Sequence, residues 1–422
     1  MTAYTGRKPR LALFGMIAAT SFVALCASAQ AKEAPPFAAL LQQAADAPRL
    51  GISAAELRRA EGLSLQARAR PNPTMSVLTE NVAGSAPYSG FDRAETTLQY
   101  SQPIELGGKR SARIAAGEAG VVAARARDLD SRIAFAYDLA RAYVAAEISD
   151  RRIVLAQDEV EEAQSDLRVA RALVGAGRES RLRSLQAETA LYAMTAELEV
   201  AKASRIAAYA RLSGLVGAEE PFTALSESLL DRPNPSAIVG PVNPLTSTPY
   251  LAALAEREAA DRRLVAERRR AAPDIAASIG VRRLAYERAT AIMGGISIPL
   301  HIFDRNRGNI AASTADVQAA EARLAMTRNE VRAEAQAAGA QLIAVDARVM
   351  AAENGQATAE ETYRLARIAY EAGKSPLAEL LVARHGLGAA RGVVLDARTA
   401  RFEARAQIAR LQGRTISGDP IQ

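Results

Sequence analysis

Two histidines, His301 and His385, and one cysteine, Cys26, are the only imidazole and thiol groups in this sequence. A transition-metal site needs three or four N, S or O donors converging on one point. His301 has one carboxylate close by, Asp304, and His385 is no better placed, so neither reads as a ligand. The expectation for His301 is a hydrogen bond to backbone at the end of a strand. No nucleophile–base pair and no G-x-S-x-G turn appear, so there is no hydrolytic centre to assign. The chain reads as non-enzymatic, with no resident metal and no cofactor. It has no Trp and few other aromatics, which removes the stacking platforms of single-strand binding, and no nucleic-acid partner is expected. The remaining candidates for chemistry are charged side chains at two glycine turns. They make sense only once the elements that hold them are laid out.

The N-terminus carries Arg7, Lys8 and Arg10, then an apolar run from Leu11 to Leu25, then Ala27-Ser28-Ala29 and Ala29-Gln30-Ala31. That order is a secretory signal peptide, residues 1–31, with a mature N-terminus near Gln30 or Lys32. Cys26 sits inside it. A lipidated cysteine needs a small residue before it, and Leu25 is not small, so an unlipidated chain is expected. Without the three leader cations the formal charge falls from +6 to +3. The rest of the basic residues interleave with Glu and Asp, as on solvated helix faces.

No proline occurs between Pro103 and Pro221, or between Pro299 and Pro376. Both stretches are rich in good helix formers. Apolar residues recur every seven positions: Leu139, Ala146, Ile153, Val160, Leu167 and Val174 in the first, Ile310, Val317, Leu324, Val331, Ala338 and Val345 in the second. That repeat predicts helices packed along their length as coiled coils. Each stretch is broken once, at Gly175–Ser180 and at Ala372–Pro376. The result is two helical hairpins, whose long first arms run over Lys109–Leu173 and Arg305–Glu371. About 65 residues at 1.5 Å each reach on the order of 100 Å.

Strand-like segments precede each long arm: Thr74–Glu80 and Glu95–Ile104, then Asp274–Arg283 and Ala291–His301. Their alternation has the length and dyad period of transmembrane β-strands. The two halves repeat in order, with Ser101-Gln102-Pro103-Ile104 matching Ser297-Ile298-Pro299-Leu300. The boundaries expected are a first repeat over 32–220, a Pro-rich equatorial linker over 221–249, a second repeat over 250–412 and a tail over 413–422. Four strands alone would leave two unpaired edges in hydrocarbon, where each unsatisfied group costs several kcal/mol. A closed barrel must therefore be shared. Two chains give eight strands and almost no lumen; three give twelve and an opening. The fold class expected is mainly α with a small transmembrane β part. The duplicated hairpins form an α-barrel and four strands per chain enter a shared, trimeric β-barrel.

The junctions carry a family resemblance. Gln102-Pro103-Ile104-Glu105-Leu106-Gly107-Gly108-Lys109-Arg110 and Ile298-Pro299-Leu300-His301-Ile302-Phe303-Asp304-Arg305 resemble the two strand-to-helix junctions of outer-membrane efflux proteins of the TolC type. Pro103, Gly107, Gly108, Pro299, Asp304 and Arg305 are the junction residues of that resemblance, which is most similar to the CzcC-like heavy-metal branch and covers about Phe37 to Gln412. It implies a homotrimeric channel in outer-membrane lipid, docked on a periplasmic adaptor and an inner-membrane proton-driven pump of the RND type. It also implies a periplasmic constriction lined by acidic residues. Leu377–Ala383 matches that tip, with Glu379 on the first acidic position and Val382 on the second. Arg178 and Arg181 beside Gly177, and Lys374 beside Gly373, either hold the closed state or are solvated. Leu377 and Leu380 are the candidates for an apolar constriction. Metal ions are the cargo that the branch implies, with small organic molecules as the alternative. A periplasmic adaptor is the competing class, but it should carry one hairpin between lipoyl-like halves, and this chain has two hairpins.

Overall fold

The computed structural model describes residues 32–231 and 242–421. The leader, with Cys26, lies outside the described residues, as do Pro233, Pro235 and Pro241 of the linker. In chain order the elements are β1 (Glu33–Ala34), α1 (Phe37–Gln43), α2 (Pro48–Arg68), β2 (Thr74–Glu80), β3 (Glu95–Ile104), α3 (Lys109–Gly175), α4 (Arg181–Val216), β4 (Ala224–Leu225), α5 (Thr248–Arg270), β5 (Ile275–Leu284), β6 (Ala289–Ser297), α6 (Arg307–Glu371) and α7 (Leu377–Leu411). The order α2–β2–β3–α3–α4 recurs as α5–β5–β6–α6–α7. The fold is mainly helical, with two long hairpins and four antiparallel strands, as the sequence implied.

The four strands form one sheet in the order β2-β3-β5-β6, so β2 and β6 are its free edges. Register aligns one apolar row across the sheet, Val77–Leu98–Val281–Ile292. A second row, Met75–Tyr100–Ile279, lies on the same face. The opposite face carries Thr97, Gln99 and Ser101 on β3, paired with Arg282, Gly280 and Ser278 on β5. One face thus suits hydrocarbon and the other water. Gly280 sits where a Cβ would meet the Leu98 carbonyl oxygen at 2.9 Å, so the central strands approach closely only because this residue is glycine.

The last strand differs from expectation. It covers Ala289–Ser297 and stops four residues short of His301. The register sets Ser297 opposite Ala276 and the partner strand β5 begins at Ile275, so the residues from Pro299 onward have no strand to pair with. His301 is therefore a junction residue, with Nδ1 3.1 Å from the Ala271 carbonyl oxygen.

Below the sheet the helices form a wall one layer thick. α2 lies along the first half of α3, where a Cβ on Gly117 would meet Ser64 Cα at 3.1 Å. α4 lies along the second half, packing Ala187 against Leu167 and Ala170. α5 and α7 fill the same two levels between α3 and α6, as Arg127–Glu256 and Arg257–Glu321 mark above and Arg391–Glu162 and Arg398–Glu353 below. The heptad seams account for this. Leu139, Ala146 and Leu167 are buried on α3, and Val331, Ala338 and Val345 on α6. Midway along α3 the ends of four segments meet in the largest apolar core. Phe37, Leu40, Phe135, Tyr143, Tyr209 and Leu212 build it, and Phe222, Leu229 and Leu230 of the connecting segment close it. Glu147 fastens that segment, accepting from the Leu229 and Leu230 amides at 2.9 and 3.2 Å.

Candidate functional site

The junctions come first, because they aim the helices. In the first, Gly107 and Gly108 both have left-handed backbone, φ 68° and 72°, and a Cβ on Gly107 would meet Ala272 Cβ at 2.8 Å. Lys109 pairs with Asp274 at 2.9 Å, and Arg113 forks onto Glu105 while its Nη2 donates to the Ala69 carbonyl. In the second junction the left-handed position is Asn306, φ 58°. Asp304 Oδ1 accepts from the Asn306 amide at 2.9 Å, and Asn306 Nδ2 donates to Glu267 Oε2 at 2.8 Å. Asparagine tolerates this conformation better than other non-glycine residues. One repeat uses glycine and the other a hydrogen-bonded asparagine for the same turn from strand to helix.

At the far end, both hairpins turn on the same device. Gly177 and Gly373 each take φ 68°, and the following amides, of Arg178 and Lys374, donate back to Leu173 and Ala369 at 2.9 and 2.8 Å. These are matched Schellman caps. Arg178, Arg181, Lys374 and Glu379 are all exposed. None forms an ion pair within the chain among the described residues. Leu377 and Leu380 are in a different place from the one expected of an apolar constriction. Both are fully buried against Leu167, Ala170, Tyr363 and Tyr370, between the hairpins. The first turn of α7 uses them to pack on α3 and α6, so they have no surface left to line a passage.

One turn above this core lies a charged cluster that sequence reasoning missed. Asp166 of α3 pairs with Arg384 of α7 at 3.3 Å, with side chains only 1% and 8% exposed. Tyr363 of α6 donates its hydroxyl to Asp166 at 3.2 Å, and Arg367 donates to Ser165 Oγ at 2.9 Å. Three helices from both hairpins are tied at one carboxylate. Burial pushes the Asp166 carboxyl up to about 6, against the pull of Arg384, the Tyr363 hydrogen bond and Arg367. The Tyr363 phenol is raised too, by burial and by the negative charge of Asp166. Higher up, Arg391 pairs with Glu162 at 3.1 Å. Beside it Glu159 occupies the space that a Cβ on Gly388 would take, its carboxyl raised by burial and by Glu162.

A sequence signal for this cluster exists. Leu377, Leu380, Leu387 and Val394 form an a/d repeat on α7, and Arg384 and Arg391 stand at the next a positions of the same seam. A cation in an apolar seam demands an acid across it. Asp166, Tyr363 and Arg367 give no such signal, since they belong to two other helices. His385 is exposed and lines a groove between α3, α4 and α7 with Glu159, Met194 and Glu197. On the polar face of the sheet, Arg282 is held by Glu95 at 3.1 Å, Glu80 at 3.7 Å and Thr97 Oγ1 at 3.0 Å.

Comparison with known proteins agrees with this geometry. The sequence profile of a family described as Outer membrane efflux protein matches residues 40–218 and 248–414. The chain is 40% identical over 388 residues to the nickel-cobalt-cadmium resistance protein NccC of Alcaligenes xylosoxydans xylosoxydans, covering 92% of this chain and 88% of that one. It is 31% identical over 379 residues to the cobalt-zinc-cadmium resistance protein CzcC of Cupriavidus metallidurans, covering 86% of each. The outer membrane protein VceC of Vibrio cholerae shares the fold, with a TM-score of 0.72 at 20% identity over 90% of this chain and 96% of that one.

Proposed function

The chain belongs to the outer membrane efflux protein family, and from that premise we propose that it carries heavy-metal cations out of the cell as one third of a trimeric duct. It is an outer-membrane efflux channel of the kind that serves tripartite systems, with a helical extension on the periplasmic side and no enzymatic activity. Channels of this family work as trimers. For this chain the partners we assign are a periplasmic adaptor and an inner-membrane proton-driven pump of the RND type.

The observation that carries the reading is the sheet. It is apolar on one face and polar on the other, has two free edges, and continues at both junctions into a wall one helix thick. Three copies would close the edges and bend the wall into a tube. The heavy-metal cargo rests on the names of the similar proteins. Deleting the gene should raise cell-associated nickel, cobalt or cadmium under metal challenge, and leave tolerance of organic toxicants unchanged. Loss of organic tolerance with normal metal content would overturn the cargo assignment.

We assign the closed state to the tip. Asp166, Tyr363 and Arg384 tie the second hairpin to the first. Glu379 is exposed two residues into α7, and in this assignment it faces the axis where three copies meet. Arg178, Arg181 and Lys374 have no carboxylate partner among the described residues, and the pairing we assign to the closed state runs to a neighbouring copy.

A further inference from the structure

The apolar face of the sheet does not end where strand pairing ends. On β6, Ile292 and Ile296 stand on that face, and the spacing of two continues through Ile298, Leu300 and Ile302. A bend follows at Ile302–Phe303, where Phe303 is 99% exposed and Leu300 77%. On β3 the same face carries Leu98, Tyr100 and Ile104, interrupted by Gln102, and Leu106 lies beyond the strand end. An exposed apolar ledge thus runs along the lower rim of the sheet at both junctions. Just beneath it the charge changes. Arg305 lies just before α6 and Arg307 begins it, and Arg268 and Arg269 lie in the last turn of α5. All four are exposed, and none has a carboxylate within ion-pairing distance among the described residues.

Height places the ledge. Ten strand residues rise about 3.4 Å each, and a tilt of about 40° turns that into a band of about 25 Å, the apolar height of an outer-membrane barrel. The paired strands fill that band. Leu106, Leu300, Ile302 and Phe303 fall just below it, at headgroup depth, where aromatic and large apolar side chains concentrate. Edge-to-edge pairing of β6 with another copy uses groups in the plane of the sheet and leaves side chains perpendicular to it uncovered. The first turns of α3 and α6 contain no acidic residue, so two helix N-termini of positive polarity stand at the rim, and the arginines of the last turn of α5 offset the negative polarity of that helix end.

We propose that this rim is an interfacial anchor for anionic phospholipid of the periplasmic leaflet. Leu300, Ile302 and Phe303 enter the acyl boundary, and Arg268, Arg269, Arg305 and Arg307 meet the headgroup phosphates below. The inference rests on the reading of the sheet as membrane-spanning.

The sequence contains no tryptophan, so a single substitution gives a unique fluorophore. Phe303→Trp protein in vesicles of phosphatidylcholine and phosphatidylglycerol should emit at short wavelength. Its emission should be lost when the lipid is brominated high on the acyl chain, and should resist aqueous iodide. Ile292→Trp, on the sheet itself, is the control for the membrane reading. Ile292→Trp quenched by brominated lipid with Phe303→Trp quenched only by iodide, or by neither agent, would overturn the anchor and leave the barrel standing. Failure of both would overturn the barrel as well. For the headgroups, the midpoint of heat denaturation should rise when phosphatidylglycerol replaces phosphatidylcholine, and Arg305→Gln/Arg307→Gln should lose that rise. No rise in the parent, or a rise kept in the double variant, would overturn the assignment of these arginines.

Discussion

Asp166 enters the packing between the hairpins as an acid whose burial outweighs the cations beside it, which fixes the sign of its pH dependence. Its folded pKa, about 6, lies above the ordinary value of 3.8. The folded tip therefore binds this proton more tightly than the unfolded chain does. The stability contributed is fully present below the ordinary value and is lost as pH rises through about 6. Amide exchange at the tip, corrected for intrinsic rates, should be slower at pH 5 than at pH 7, and Asp166→Asn should remove the difference. Tip protection that increases from pH 5 to pH 7 would contradict this. Arg384→Met is more severe, because it leaves a buried carboxylate without its cation at neutral pH, a loss of about 3–5 kcal/mol. Its channels should open more often in planar bilayers at pH 7 than the parent. Glu379 is a different case, because the role proposed for it needs the assembled ring. Like charges brought together around an axis favour cations in the passage. Glu379→Gln channels should show altered conductance and weaker cation selectivity, and conduction unchanged at every salt concentration would remove Glu379 from the gate.

Much of the element scale was legible in the sequence. The bounds Thr74–Glu80 and Glu95–Ile104 follow from alternation interrupted by Gly and Pro, and the long arms follow from heptads between glycine turns. The end of β6 was not legible, because Ile298 and Leu300 keep the strand period after the partner strand β5 has run out. The second junction was legible as a motif and not as a mechanism, since Asn306 takes the left-handed turn that Gly107 and Gly108 take in the first. The charged cluster near the tip was half legible. Arg384 and Arg391 stand out as cations in an apolar seam, while Asp166 and Tyr363 are ordinary residues of other helices until packing joins them. Leu377 and Leu380 were assigned to a passage because tip position alone cannot separate a lining face from a packing face. The glycine turns give a test at this scale. Gly177→Ala and Gly373→Ala each force a Cβ into left-handed backbone, at about 1 kcal/mol apiece. Each should lower the thermal midpoint while trimer formation persists. At Gly107 strain and crowding add, since a Cβ would also meet Ala272, so Gly107→Ala should cost more than either. A Gly107→Ala midpoint equal to that of Gly373→Ala would show that Ala272 moves aside.

For the whole molecule, a single chain is an incomplete object. It presents two free strand edges, at β2 and β6, and a wall with open flanks at α2 and α4 on one side and α6 on the other. In hydrocarbon those edges cost several kcal/mol for every unsatisfied group, and summed along both strands that exceeds the roughly 5–15 kcal/mol by which a folded protein is stable. Closure between copies removes the cost, and three copies give a twelve-stranded barrel with a lumen. The polar face, with Arg282 held between Glu80 and Glu95, then lines the water path, and the Val77–Leu98–Val281–Ile292 row meets lipid. The most direct test places one cysteine on β2 and one on β6, scanned in register along the two edges, in protein purified from outer membranes. At the paired registers oxidation should give a covalent ladder of monomer, dimer and trimer that stops at trimer. Chains that remain monomeric at every register while circular dichroism shows the strands formed, or ladders that run on past trimer, would contradict a barrel shared among three copies.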